Sequence, residues 1–323
     1  MTTRTHRGRM PETSIAAVIA RKQQVAAQVW RFEFAAADGA VLPPYTAGAH
    51  VDVWCPNGAR RSYSLVDAPG ESPRYAISVL RQPGGRGGSL SLIDDAHEGD
   101  RINITSPINT FPLEASASYL LVAGGIGITA IRSMHRALRE EGHPRVRVLY
   151  LARSRSEAAY VEEFEDSGDA SAVVHHSRDT GTRLDLWPYL AEPNDTQIYC
   201  CGSAALMDEV SALTAHWNPR SIHFEDFVGV AARQKGDSEF RLIWRPTGTT
   251  LNVPADTTAL DAIRSAGIYV DSSCQAGTCG TCRLTLFSGD ADHRDAVLTE
   301  DERASGFMPC VSRAAADFIE IGP

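Results

Sequence analysis

The sequence predicts a multidomain chain in three parts: an antiparallel β-barrel, an α/β domain on a parallel sheet, and a small C-terminal domain around a cysteine loop. Three observations predict it. Short alternating segments broken by Gly and Pro fill residues 14–110. From Tyr119 strand-like and helix-like segments alternate. Near the C-terminus "CQAGTCGTC" (274–282) sets three cysteines close together.

Length and composition agree. A chain of 323 residues that is 43% hydrophobic is too long for one compact core, so two or three domains are expected. The formal net charge of -9 argues against a nucleic-acid partner. No run approaches the ~20 apolar residues of a membrane span, so no membrane partner is expected. The opening "MTTRTHRGRM" is polar and basic and lacks the apolar stretch of a secretory signal; residues 1–13 read as a disordered extension. Seven cysteines, an odd number with four near the C-terminus, fit a reducing, cytoplasmic setting and a metal or cluster site rather than a disulfide scaffold.

The barrel strands come first. "VWRFEFAA" (29–36) alternates bulky and polar positions at period two, and "HVDVWC", "RRSYSLV", "RYAISVLR" and "DRINITSP" follow. Turn signals such as "PNG" and "PGGRGG" separate them, which suggests an antiparallel barrel or sandwich. In "RRSYSL", Arg61 can pair with a phosphate, Tyr63 can offer a ring face and Ser64 a hydroxyl. "GRGGS" (85–89) can form an anion nest from its backbone N–H groups. Alone, both stretches read first as an alternating strand and a flexible hairpin.

The α/β part opens on "YLLVAGGIGITA", a strand, a Gly-rich turn and a helix start. Gly124, Gly125 and Gly127 let backbone approach a pyrophosphate at a helix N-terminus, and Thr129 adds a hydroxyl. By itself this is also what a plain turn between strand and helix looks like. The helix recurs at Ile131, Met134 and Leu138 and stops at Gly142. A second strand, the helix-like "SEAAYVEEFEDSG", "AVVHH", "QIYCCG" and "SAALMDEVSALTAHW" complete the alternation. Cys201 and Gly202 fall where ligands of open α/β sheets bind, although Cys201 also suits a small buried hydrophobe.

Residues 228–239 read as a linker. "FRLIWRPTGTTLNV" then reads as a hairpin with its turn at "PTGT", and "TALDAIRSAG" as one short helix capped by Thr258 and closed by Gly267. The cysteine loop has the spacing C-x4-C-x2-C, with Cys310 far downstream. That is the plant-type [2Fe–2S] signature. Gly277 and Gly280 let the loop turn sharply and bring N–H groups near sulfur. Zinc is the alternative, but zinc sites usually pair two such half-motifs, and here the fourth ligand stands alone in "FMPCVS". "ADHRD" (291–295) reads as a loop whose Asp and His lie on the surface.

Taken together, "RSYSL", "GRGGS", "VAGGIGIT", "YCCG", "HFEDF" and "CQAGTCGTC", in this order, resemble the phthalate dioxygenase reductase family, which includes vanillate demethylase reductase components. The resemblance covers roughly residues 14–323. It implies an FMN-binding barrel over 14–113, a ferredoxin reductase-like NAD domain over 114–227, and a β-grasp plant-type ferredoxin domain over 240–323. It places Arg61, Tyr63 and Ser64 on the flavin, Gly87, Gly88 and Ser89 around its phosphate, and Val79 nearby. Gly125, Gly127, Thr129 and Cys201 fall on the dinucleotide, and Glu225 lies near flavin and nicotinamide; Ser64, Cys201 and Glu225 form the catalytic set. Cys274, Cys279, Cys282 and Cys310 are the cluster ligands. The chain departs from the usual pattern at Ala130 and Ser203, where Pro is common.

The implied activity is a relay. NADH gives two electrons at once, a [2Fe–2S] cluster takes one, and a flavin splits the pair. The implied acceptor is a separate Rieske-type terminal oxygenase acting on an aromatic acid or its methyl ether, with the reductase itself a monomer. A cytochrome P450 or another ferredoxin is the alternative acceptor, and a non-catalytic redox sensor or zinc-stabilised protein the alternative class. Arg153 and Arg155, after the second strand of the α/β part, keep NADPH open beside NADH, although surface charge also accounts for them.

Overall fold

The computed structural model describes residues 14–70, 73–85, 87–165, 171–227, 234, 236–272, 274–278 and 280–323. The extension over 1–13, linker residues 228–233 and 235, and Cys279 lie outside the described residues. The chain divides into two compact units, Met1–Glu225 and Asp226–Pro323. Among the described residues no helix is long and apolar enough to cross a membrane.

The first unit begins with six antiparallel strands: β1 (Ser14–Ala26), β2 (Val29–Ala36), β3 (His50–Trp54), β4 (Arg60–Ser64), β5 (Tyr75–Leu80) and β6 (Arg101–Thr105). Their order is β4-β3-β6-β1-β2-β5. A bridge between Leu65 and Ile77, with Val66 N–H on the Ala76 carbonyl at 2.9 Å, joins the two ends, so the sheet closes and leaves no open edge there. Inward positions Phe32, Phe34, Val51, Val53, Ile77 and Ile104 are fully buried, as period-two alternation requires. The long β1 was not separately legible, because "ARKQQVA" lacks alternation. The "GRGGS" stretch is not a hairpin. It leads into a helix, α1 (Gly88–Asp95), whose Leu92 plugs the barrel core.

The second sheet of this unit is parallel, in the order β11-β10-β7-β8-β9. Its strands are β7 (Tyr119–Gly124), β8 (Val146–Ala152), β9 (Ala172–His176), β10 (Gln197–Cys201) and β11 (Ile222–Glu225). Helices α2 (Ile128–Glu140), α3 (Val161–Glu165), α4 (Ser177–Thr180), α5 (Trp187–Leu190) and α6 (Ala204–Leu213) connect them. The chain runs outward from β7 in one direction to β9 and then crosses back to β10. The switch point therefore lies between β7 and β10. Ser203 caps α6, its Oγ accepting from Leu206 N–H at 3.4 Å, so this departure from Pro supplies a cap. The expected helix from Ser156 starts only at Val161. Tyr160 has φ 60°, a left-handed conformation that interrupts any helix, and the residues after Glu165 up to 170 lie outside the described set.

The second unit is a mixed sheet, β13-β12-β18-β14-β16, with one helix packed on it, the β-grasp arrangement. β12 (Phe240–Trp244) and β13 (Thr249–Val253) form the expected hairpin. α7 (Ala259–Ser265) begins at Thr258, whose hydroxyl accepts from Asp261 N–H at 3.0 Å, and Gly267 follows with φ 78°. β14 (Leu284–Ser288), β15 (Ala291–Asp292), α8 (Glu300–Arg303), β16 (Gly306–Phe307), β17 (Arg313–Ala314) and β18 (Phe318–Gly322) complete it, β18 running parallel to β12.

Candidate functional site

Residues of the barrel converge where β4 meets the start of α1. Gly87 precedes α1 with φ 77°, and a Cβ on Gly88 would stand 2.8 Å from Arg61 Cγ. Only glycine lets the helix start pack this closely on the arginine stem. Asn57 holds the start in place: its N–H donates to Ser91 Oγ at 3.0 Å and its Nδ2 to the Gly87 carbonyl at 3.3 Å. Among the described residues no side chain caps the α1 N-terminus. Its N–H groups, with Ser89 half-buried beside them, suit an anion. At the other end Lys22 Nζ donates to the carbonyls of Ile93 (2.5 Å) and Ala96 (2.8 Å), where a cation is favoured. Arg61 Nη1 donates to the Arg60 carbonyl at 2.7 Å. Burial pushes the Tyr63 phenol well above its usual range, so it stays neutral. The side chain of Val79 is wholly buried in the barrel core, and its backbone pairs with Trp30.

The glycine-rich turn after β7 lies at the switch point. Gly125 has φ 54° with open space where a Cβ would be, leaving its backbone face clear. Gly127 is needed for a different reason: a Cβ there would sit 2.0 Å from the Cys201 carbonyl oxygen. Gly124 and Gly202 likewise meet backbone to backbone, with a Cβ on Gly124 3.2 Å from Gly202 Cα. These glycines let the β7 and β10 ends approach. Thr129 is buried and its hydroxyl donates to the Ile126 carbonyl at 3.0 Å, so it closes the turn from within.

The strand registers put Ala123, Cys201 and Glu225 in one row across β7, β10 and β11. Cys201 is fully buried. Glu225 is the perturbed group: burial pushes its carboxyl up to about 8, against a weaker opposing pull from the Ser64 hydroxyl. Ser64 and Glu225 thus meet, although 161 positions apart in chain order they share no local signal. Ser64 Oγ and Glu225 Oε2 are both sealed from solvent without completing a hydrogen bond among the described residues. Two adjacent orphaned polar atoms are what a bound polar group would satisfy. The barrel and sheet residues therefore fit a phosphorylated, polar-edged cofactor.

In the second unit Cys282 and Cys310 are buried in one core and Cys274 is half-buried. Cys279 lies outside the described residues, and among these no three His, Cys, Asp or Glu side chains converge as an ion-binding group. The loop is nevertheless wound for ligation. Gln275, Gly277 and Gly280 all have positive φ, and Ala276 N–H points at Cys274 Sγ at 3.3 Å, the donor that thiolate sulfur accepts. A Cβ on Gly277 would meet Val311 at 2.8 Å, so the loop lies tight against the residue following Cys310.

The expected surface placement of "ADHRD" is overturned. Asp295 is buried, and its carboxylate accepts from Leu298 N–H (2.7 Å), Val297 N–H (3.2 Å) and Ser312 Oγ (3.4 Å). Ala296 N–H reaches the Gly277 carbonyl at 3.0 Å. This turn ties the cysteine loop to the segment carrying Cys310. His293 is half-buried with Nδ1 sealed, and Arg294 is paired with Asp237 and Asp292. The acid's place ahead of two N–H groups it can cap was the signal available in sequence. Arg264, on α7, donates to Ser272 Oγ at 2.6 Å and anchors the loop's entrance.

Comparison with known proteins agrees with this geometry. Residues 242–315 match the 2Fe-2S iron-sulfur cluster binding domain. The phthalate dioxygenase reductase of Burkholderia cepacia is 43% identical, covering 92% of this chain and 93% of its own. The vanillate O-demethylase oxidoreductase of Pseudomonas putida is 38% identical over 94% of this chain and 98% of its own. A solved phthalate dioxygenase reductase, described as a modular structure for electron transfer from pyridine nucleotides to [2Fe-2S], superposes with a TM-score of 0.81 at 40% identity, over 96% of this chain and 98% of that one. This chain therefore belongs to the phthalate dioxygenase reductase family of oxidoreductases, and its C-terminal unit is a [2Fe–2S] ferredoxin domain.

Proposed function

We propose that the protein is an NADH-dependent, FMN-containing reductase that delivers single electrons through its [2Fe–2S] cluster to a separate Rieske-type oxygenase. On this reading residues 14–113 hold FMN, 114–227 hold NADH and 240–323 hold the cluster. The observation that carries it is the meeting of Ser64 and Glu225, whose Oγ and Oε2 are sealed and lack a hydrogen-bond partner among the described residues, at the strand ends of barrel and parallel sheet.

A bound flavin supplies the ability to take electrons in pairs and release them singly. The protein supplies position. Arg61 and the uncapped start of α1, with Gly87, Gly88 and Ser89, hold the phosphate. Tyr63 offers a neutral ring. Ser64 donates to the flavin's polar edge, and the Glu225 carboxyl keeps its proton near neutral pH. The open backbone face of Gly125 receives the pyrophosphate, with Gly127 and Cys201 fixing its floor. Cys274, Cys279, Cys282 and Cys310 ligate the cluster.

The charge beyond β8 favours NADH over NADPH. Arg155 is held by Glu165 (3.0 Å) and Glu162 (3.4 Å), and Arg178 by Glu157 (2.6 Å). With both guanidiniums engaged by carboxylates, neither is poised for a 2′-phosphate. The relatives named as reductases of phthalate dioxygenase and vanillate O-demethylase systems support an oxygenase as acceptor.

Anaerobic titration of the purified holoprotein is the test. NADH should bleach flavin and cluster absorption at a far lower concentration than NADPH. Adding an oxidised Rieske-type oxygenase should restore the colour. Bleaching by neither nucleotide, or no electron passage to any Rieske-type oxygenase when cytochrome c is reduced, would sink the reading.

A further inference from the structure

Within the first unit, a buried polar cluster ties the barrel to α2 of the α/β part. Asp67, three residues past Ser64, is hydrogen-bonded by two arginines from different elements, with a third, Arg136 on α2, 3.9 Å from its Oδ1. Arg31 on β2 donates from Nη1 (2.9 Å) and Nη2 (2.6 Å), a fork on both carboxylate oxygens. Arg132 on α2 donates from Nη1 to Asp67 Oδ1 (2.9 Å) and to the Val66 carbonyl (2.8 Å). Ser133, the next residue on α2, donates to the Asp67 carbonyl at 2.7 Å.

The second side of Arg132 is also occupied. Its Nε donates to Glu163 Oε2 at 2.7 Å, and its guanidinium lies 4.3 Å over the Tyr160 ring. Tyr160 is the residue in the left-handed conformation, and its hydroxyl bonds Ser78 of β5 at 2.6 Å. Strain at a bulky residue persists only where its surroundings over-determine it. Asp67 and Arg132 are both nearly inaccessible to solvent.

The connectivity gives the contact its meaning. Arg132 stands on the first turns of α2, about 6 Å of rigid helix from its start, directly after the turn bearing Gly125 and Gly127. Asp67 follows the strand end bearing Ser64. The contact is a short, stiff tie between the strand end assigned to the flavin and the turn assigned to the dinucleotide.

We propose that Asp67 and Arg132 are positioning residues that set the approach of the nicotinamide to the flavin; this rests on the function proposed above. In the step they serve, a C–H bond of the dihydronicotinamide breaks. Its hydrogen leaves with both electrons to the flavin, so the nucleotide is oxidised and the flavin reduced. Neither residue touches the reacting atoms. They fix a distance, and an error of about 1 Å there can cost up to roughly a hundredfold in rate.

The test is stopped-flow bleaching of the FMN-loaded full chain, with NADH and with NADH deuterated at the transferred position. Asp67→Asn removes the charge, Arg132→Lys keeps the charge but cannot reach Asp67, the Val66 carbonyl and Glu163 at once, and Ser133→Ala removes a single bond and preserves the fold if the other two do not. The limiting bleaching rate should fall about tenfold or more in the first two and severalfold in the third. The primary isotope effect should persist, bound flavin per chain should be unchanged, and the NADH concentration for half-maximal rate should move less than about threefold. Wild-type rates at normal flavin content would overturn the proposal. So would rate losses that merely match losses of bound flavin or folded protein in all three variants. A wild-type chain that NADH does not bleach would instead sink the function itself, and the positioning role with it.

Discussion

Ser64, ending β4 of the barrel, faces Glu225, ending β11 of the parallel sheet, and the hydroxyl pulls against the burial that pushes the Glu225 carboxyl up to about 8. Glu225 is therefore protonated at neutral pH and ionises only in mild alkali. Its ordinary value is 4.5, which stands for the unfolded chain. Between that value and about 8 the unfolded chain loses a proton that the folded one keeps, so this group's contribution to stability falls as pH rises and levels off above about 8. Glu225→Gln should abolish that slope. Denaturant melts at pH 5 should show little difference between the two proteins, and at pH 8 the variant should be more stable by on the order of a few kcal/mol.

Gly127→Ala forces a Cβ to within 2.0 Å of the Cys201 carbonyl, a clash between backbones that no rotamer relieves. The β7 and β10 ends must part, at a cost of about 3 kcal/mol. Thermal melting of the first unit should drop, and half-saturating NADH should rise at least tenfold, while cluster absorption stays unchanged.

Gly88→Ala meets the flexible stem of Arg61 at 2.8 Å, which can swing aside. The fold should survive with a loss of about 1 kcal/mol. Moving Arg61 weakens the anion site at the start of α1, so FMN should dissociate about tenfold more readily. Equilibrium dialysis with fluorescence of released flavin measures this, and riboflavin, which lacks the phosphate, should bind both proteins equally.

Asp295→Ala leaves the buried N–H of Leu298 and the part-buried N–H of Val297 without their acceptor, costing about 1–3 kcal/mol in the second unit. The tie between the cysteine loop and the Cys310 segment slackens. Cluster absorption should decay several times faster under an iron chelator, and flavin bleaching by NADH should proceed normally. Equal decay in the two proteins would refute the bracing role.

Much of the fold was legible because its signals are local. Alternation marked β2 from Val29 to Ala36, the hydroxyl of Thr258 marked the start of α7, and Gly267 its end. The cysteine spacing named the cluster because ligation demands a tight loop from one short segment. The Tyr160 backbone, by contrast, contradicts its helix-favouring neighbours, because contacts to Ser78 and Arg132 outweigh local propensity. "GRGGS" concealed a helix, since its glycines serve the entry and Leu92 supplies the burial that stabilises the rest.

The sequence by itself determined the three kinds of architecture, the order in which they occur and the chemistry assigned to each, since period, turn residues and ligand spacing act over a few positions. Only the tertiary structure decided that Ser64 meets Glu225, that Asp67 is gripped by Arg31 and Arg132, and that Asp295 is a buried brace. Those pairings draw their energy from burying charge and polar groups against partners far away in the chain, and a partner of that kind leaves no periodic trace beside the residue it satisfies.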